Sequence, residues 1–268
     1  MKGKWIQGLM VVSAISGFIW LGGLAWTLQD YFTGDSGKQA EPVSTVEELP
    51  TPIVDDGKFR VVALGDSLTR GAGDPDGKGY VGYMVDVLKS KAAGQEILVK
   101  NYGVNGMRTP ELTASLDKPG VRSELKAADV IVVSTGGNDL FQGGETLGNL
   151  DPSNIAGIQE TYAEQLNHVL KDIRAVNPAS KLFLIGLYNP FIALTETQTT
   201  TKIVRDWNYQ TAETAAEYPD TVLVPTLDLF QLNVQRYLAR DQFHPNAEGY
   251  KLIGERVASL ITWEGERK

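Results

Sequence analysis

Three residues of this chain have the types and spacing that nucleophilic acyl transfer needs: Ser67, Asp241 and His244. Ser67 stands in Gly65-Asp66-Ser67-Leu68-Thr69, directly after an apolar run, with glycines again at Gly71 and Gly73. A serine on the turn out of a buried strand exposes its hydroxyl and points its amide into the cleft, which suits a nucleophile with its own oxyanion donor. The same position would also let Ser67 do no more than cap the following helix. A phosphate loop fits poorly, because neither G-x-G-x-x-G nor G-x-x-x-x-G-K-[ST] occurs at this turn.

A serine needs a base, and the chain holds two histidines. His168 falls in a long amphipathic stretch, about 100° round a helix from Val169 and roughly 160° from Leu166, which places it on the solvent face. His244 falls instead in Asp241-Gln242-Phe243-His244-Pro245-Asn246, three residues after a carboxylate. One tight turn would bring Asp241 to Nδ1, fix the tautomer and leave Nε2 for a hydroxyl proton. The bland alternative is an Asp and a His that merely end a loop. Two further turns could donate to an oxyanion. Ser134-Thr135-Gly136-Gly137-Asn138-Asp139 offers the Asn138 amide, and Asn101-Tyr102-Gly103-Val104-Asn105-Gly106-Met107-Arg108-Thr109 offers a glycine N–H. Each of these is only a turn when taken alone.

The elements that must hold these residues follow from periodicity. Short apolar runs at 59–64, 97–101, 130–135, 182–187 and 222–226 read as strands buried on both faces. Between them Val81, Met84, Val85 and Leu88 keep helical spacing, as do Ile155, Ile158, Tyr162, Leu166, Val169 and Ile173. A closing helix follows Asn246 and should turn Tyr250, Ile253, Val257, Leu260 and Ile261 inward. This alternation predicts an α/β domain with a mainly parallel sheet, whose ligands sit beyond the carboxyl ends of the strands. The turns named above leave from those ends. Long loops at 139–152 and 189–201 bring Leu140, Phe141, Phe191 and Ile192 near them, either as an acyl-binding surface or as pins to the core. Trp207 and Tyr209 read as packing, and Lys202 and Arg205 as a solvated face.

In order and spacing these blocks resemble the SGNH (GDSL-type) hydrolase family, over essentially the whole of 59–260. The resemblance implies a flavodoxin-like three-layer α/β/α sandwich with a mainly parallel five-stranded sheet. It implies hydrolysis of esters or thioesters through an acyl-enzyme, without metal or cofactor. Carried over by position, the nucleophile is Ser67, the acid and base are Asp241 and His244, and the oxyanion donors are the Ser67 amide, Gly106 and Asn138. Gly103 lies close by, but the glycine directly before Met107-Arg108-Thr109 fits the family pattern.

Composition narrows the remainder. A net charge of −8, with 25 Lys+Arg against 33 Asp+Glu and no basic cluster, excludes nucleic acid as a natural partner. The absence of cysteine removes thiolate nucleophiles, thiolate zinc sites and disulfides. Lys2 and Lys4 precede an uncharged stretch, 5–28, of about 24 residues, more than the ~20 that span a hydrocarbon core. Charge asymmetry puts the N-terminus inside and the remainder outside. The chain therefore divides into a membrane anchor (1–30), a Pro- and acid-rich linker (31–57) and a hydrolase domain (58–268). A cleaved signal peptide, with small residues around Gly23-Leu24-Ala25, would instead give a secreted protein. With its anchor the chain looks like the membrane-anchored GDSL-family lipase/acylhydrolase proteins of Gram-positive bacteria. The expected function is an extracytoplasmic serine esterase acting on a small-molecule, lipid or glycan ester, including acetylated cell wall. The alternatives are a catalytically silent glycan- or lipid-binding domain of the same fold, and a flavodoxin-like redox or signalling domain.

Overall fold

The computed structural model describes residues 56–92, 94–192 and 197–262, all within one unit, Ile53–Lys268. The five apolar runs become five strands: β1 (Phe59–Gly65), β2 (Ile97–Gly103), β3 (Val130–Ser134), β4 (Lys181–Ile185) and β5 (Thr221–Val224). They pair in parallel in the order β2-β1-β3-β4-β5. β3 is buried along its length and β1 from Val61 onward, as apolar central strands covered on both faces must be. β2 and β5 depart from the expected full burial, because both are sheet edges and each leaves residues exposed.

After β1 come α1 (Ser67–Arg70) and α2 (Gly79–Lys91), and β2 leads to α3 (Thr109–Leu116) and α4 (Pro119–Ala127). Then β3 feeds α5 (Gly137–Phe141), a 3-10 turn (Gln142–Gly148) and the long α6 (Pro152–Val176). α7 (Thr197–Ala216) follows β4, and after β5 the chain makes α8 (Leu227–Gln231), α9 (Val234–Tyr237) and α10 (Ala247–Leu260). One face of the sheet is covered by α2 and α10, through Tyr80, Met84, Leu88, Tyr250, Ile253 and Val257. The other is covered by α3, α4, α6 and α7, through Leu112, Leu125, Leu166, Val169 and Trp207. Trimming one such side chain, as in Leu166→Ala, costs ~2–5 kcal/mol. Leu260 alone departs from the expected inward stripe of the last helix: it is 40% exposed, at the helix's final residue.

Two features of this frame bring distant residues together. The chain runs from β1 to β2 on one side and to β3 on the other, so a crevice opens between the carboxyl ends of β1 and β3, as at any such switch point. The segments carrying Ser67 and Asn138 leave from its two walls. The second feature is the α2–α10 pair. α2 follows the Ser67 turn and α10 follows His244, and Gly254 lets them touch, since a Cβ there would lie 2.7 Å from Met84 N and Tyr80 O. The Tyr250 hydroxyl, donating to Ala72 O at 2.6 Å, ties α10 to the loop behind Ser67.

The expected N-terminal transmembrane helix is corrected. No helix among the described residues is long and apolar enough to cross a membrane. Residues 1–30, and all but the last two of the expected linker at 31–57, lie outside the described residues. The fold class is accordingly the α/β/α domain alone. The membrane partner and the single-pass location with an extracellular domain are withdrawn with the helix that supported them.

Candidate active site

Ser67 is the first residue of α1 and is 5% exposed. A helix leaves its first amides without intrahelical acceptors, so the Ser67 N–H is available to a ligand. Asp66 caps this short helix, accepting from Leu68 N at 3.0 Å. It is buried, and it also accepts a hydrogen bond from Ser134 Oγ at 2.5 Å. Thr69 Oγ1 extends the network to Ser134 Oγ (2.8 Å), Tyr80 OH (2.7 Å) and Leu64 O (3.0 Å). Burial pushes the Asp66 carboxyl up to about 6, against the pull of the Ser134 and Leu68 hydrogen bonds. The turn that presents Ser67 is thus fixed from below by side chains of β3 and α2.

His244 meets Ser67 from the other side of the molecule's sequence. Its Nε2 lies 2.8 Å from Ser67 Oγ, and its Nδ1 lies 2.7 Å from Asp241 Oδ2. The other carboxylate oxygen of Asp241 accepts from the Phe243 and His244 amides, both at 3.0 Å. Burial would raise the Asp241 carboxyl, but the His244 ring bond and these two amides outweigh it and hold the group below the usual carboxylate range. An ionised carboxylate can only accept, so Nδ1 carries the proton and Nε2 is left to accept from the serine hydroxyl. The loop closes on itself through Ala239 N to His244 O (2.7 Å) and a Leu238–Pro245 bridge. Asn246 caps α10 through Gly249 N at 3.0 Å, a contact worth ~1 kcal/mol. His168, as expected, is exposed on α6.

The two segments that carry the oxyanion candidates meet. Asn138 Nδ2 donates to Met107 O at 2.9 Å, which joins the start of α5 to the loop after β2. Gly106 sits in that loop at φ +76°, in a turn closed by Met107 N to Val104 O at 3.2 Å; such a φ suits glycine. Gly103 has a different task. A Cβ there would lie 2.3 Å from Arg70 N, and its amide donates to Asn101 Oδ1 at 2.9 Å. It lets α1 lie on β2, and its amide is already engaged. Asp139 secures the arrangement by accepting from Thr109 N (3.1 Å) and Thr109 Oγ1 (2.9 Å). Burial raises its carboxyl while these bonds oppose the shift.

The four apolar residues expected near the site separate. Leu140 is fully buried in the core and does not face the crevice. Ile192 packs against the cluster on the α2–α10 face. Phe141 and Phe191 do meet, with ring centroids 5.0 Å apart, and Phe243 joins them. The expected loop at 139–152 is partly α5 and a 3-10 turn, and the other, at 189–201, gives way to α7 from Thr197. Trp207 is buried and stacked on Tyr162, whereas Tyr209 is 60% exposed rather than packed. Asp66, Ser134, Asp139 and Phe243 were not singled out from sequence. The signal for Asp66 was a carboxylate directly before the serine; Ser134 and Asp139 carried no local signal of their partners.

Fold and site together define a parallel α/β/α protein with a hydrogen-bonded Asp-His-Ser set at its switch point. The sequence matches the model of the GDSL-like lipase/acylhydrolase family over residues 63–252, and the chain belongs to that family, a serine hydrolase acting on ester bonds. It is 34% identical over 209 residues to the uncharacterized protein YpmR of Bacillus subtilis (strain 168), covering 76% of this chain and 82% of that one. It is 28% identical over 209 residues to the spore germination lipase LipC of Bacillus licheniformis, covering 74% and 94% respectively. Among solved structures, a lipase from a goat rumen metagenome superposes with a TM-score of 0.68 at 24% identity, over 75% of this chain and 97% of that one. This last likeness is one of fold.

Proposed function

We propose that the chain cleaves esters through an acyl-enzyme on Ser67, with His244 as general base and Asp241 holding it. The observation that carries this reading is the unbroken contact from Asp241 Oδ2 through the His244 ring to Ser67 Oγ, at 2.7 and 2.8 Å. His244 Nε2 takes the hydroxyl proton as Oγ attacks the acyl carbon. The same proton then passes to the leaving alcohol, and water repeats the cycle to release the acid. Developing negative charge on the carbonyl oxygen falls to the Ser67 and Gly106 amides and the Asn138 side chain. Asp241 stays ionised and stabilises the imidazolium. The substrate is an ester of lipid or of acetylated glycan; similarity to a protein named as a spore germination lipase supports the ester class.

One observation favours a second reading, a domain of this fold that binds glycan or lipid without turnover: Asn138 already gives a donor to Met107 O. Its amide carries two N–H groups, so one remains for an oxyanion. Kinetics on two histidine variants separate the readings. His244→Ala should lose at least ~10³-fold in kcat, and the exposed His168→Ala should stay within about two-fold. No turnover by the wild type on any ester would favour the binding domain, whereas equal losses in the two variants would remove His244 as the base.

A further inference from the structure

Asn138 sits on a piece of chain that does little to hold itself in place. α5 has five residues, Gly137–Phe141, too few for a helix to be stable through its own hydrogen bonds. Gly136 (φ +98°) precedes it, and Gln142 (φ +48°), Gly143 and Gly144 follow, all at positive φ. Leu140 and Phe141 anchor one side of this turn in the core. Two side-chain ties then join it to the segment after β2. One is the Asn138 bond to Met107 O, at 2.9 Å. The other belongs to the next residue. Both oxygens of Asp139 accept from Thr109 N, at 3.1 and 3.2 Å, and Oδ2 also accepts from Thr109 Oγ1 at 2.9 Å.

The second tie has a chemical reason. Thr109 N is the first amide of α3 and has no intrahelical acceptor. Arg108, at the N-cap, carries no acceptor in its side chain. A carboxylate 30 positions away takes that place, at a helix end that favours negative charge. Because an ionised carboxylate only accepts, the Thr109 hydroxyl donates to Asp139 and accepts from Thr135 Oγ1, 2.8 Å away and just past β3. Thr135–Thr109–Asp139 thus fastens α5 to the sheet through buried threonines. Burial raises the Asp139 carboxyl, and the Thr109 bonds and the charge of Arg108, which borders the same groove, oppose that shift.

We propose that Asp139 is a positioning residue for the oxyanion hole: by gripping Thr109 it fixes the Asn138 amide, on the same turn of α5, where negative charge develops. The proposal rests on the reading of Asn138 as an oxyanion donor. One N–H of that amide is engaged by Met107 O, and the direction of the other is set by where α5 lies. Without Asp139 that position depends on one hydrogen bond to a loop. Oxyanion donors act at ~2.7–3.1 Å, and a displacement approaching 1 Å can cost ~10²-fold. Asp139 acts through Asn138 and not on the substrate.

The test is a double-mutant cycle in the full chain, with the p-nitrophenyl ester that the wild type cleaves fastest, read as kcat and KM beside a thermal melt. Asp139→Ala should lower kcat ~10–100-fold with KM little changed, because only stabilisation of the transition state is lost. Thr109→Val removes the hydroxyl tie from the other side and should lower kcat in the same way, whereas Thr109→Ser should stay within about two-fold. In the Asn138→Ala background, Asp139→Ala and Thr109→Val should each cost no more than about three-fold further, since the group they position is gone. Where Asp139→Ala fails to fold, the two Thr109 variants close the same cycle. A purely structural tie gives losses that multiply with that of Asn138→Ala, and this result overturns the proposal. So does a kcat within about two-fold of wild type in both Asp139→Ala and Thr109→Val while Asn138→Ala keeps its large loss. Near-normal kcat in Asn138→Ala, or no turnover by the wild type, overturns the reading of the site itself, and the role of Asp139 with it.

Discussion

Gly73 and His244 lie so close that a Cβ on Gly73 would stand 2.8 Å from the His244 Cβ and 2.7 Å from Pro245 O. Gly73 also holds φ +88°, a region that side chains avoid. The loop behind Ser67 therefore reaches the histidine loop only because this position has no side chain. Gly73→Ala must push the two loops apart, and displacements approaching 1 Å at a reacting pair can cost ~10²-fold. We expect kcat to fall ~10–100-fold with KM little changed. Gly77→Ala is the matched control, since Gly77 has φ +61° but nothing within 4 Å of a Cβ. It should share the backbone strain and keep kcat within about two-fold. Equal losses in the two variants would mean that backbone strain, not contact with His244, is at work.

Asn138 is expected to act only as charge develops. Asn138→Ala should lower kcat by ~10²–10³-fold, about 3–4 kcal/mol, while KM moves little. A phosphonate should still label Ser67, more slowly. The lost bond to Met107 O sets the structural cost, ~1 kcal/mol for one such contact. Kinetics beside a thermal melt decide the matter. A melt several degrees lower with near-normal kcat would reduce Asn138 to a tie between α5 and the loop after β2.

The buried carboxyl of Asp66 gives a pH signature in stability. It ionises at about 6 in the fold against an ordinary 3.8. Between those values the folded protein holds a proton that the unfolded chain has released, so this group's contribution weakens as pH rises through the window and is constant above it. Asp66→Asn keeps an acceptor for Leu68 N and has no proton to lose. Relative to wild type, its stability should improve from about pH 4 to about pH 6 and then level off. Urea unfolding at several pH values measures the difference. A difference that is flat, or of opposite slope, would contradict burial as the dominant influence on Asp66.

What could be read from the sequence, and what could not, divides by the range of the contacts. The strands were visible because apolar runs such as Val130–Ser134 are buried along their whole length. The histidine loop was visible because Asp241 and His244 are three residues apart and only two histidines compete. The Asp66–Ser134 bond joins residues 68 positions apart, and the Thr109–Asp139 bonds span 30. No local pattern encodes such pairs. Leu140 and Phe141 are adjacent in sequence, yet the short α5 turns Leu140 fully into the core and Phe141 onto the rings of Phe191 and Phe243. A Gly-rich stretch gave no helical period from which to foresee that turn.

Ser67 is expected to be the one activated hydroxyl of the chain, and labelling with a fluorophosphonate measures this. A hydroxyl that shares its proton with a neutral imidazole attacks phosphorus, whereas other serines and threonines do not. Peptide mass spectrometry of the labelled wild type should find a single adduct, on Ser67. Ser67→Ala should take up no label, and His244→Ala should take it up far more slowly. Label on a different serine, or undiminished labelling of Ser67→Ala, would contradict the account.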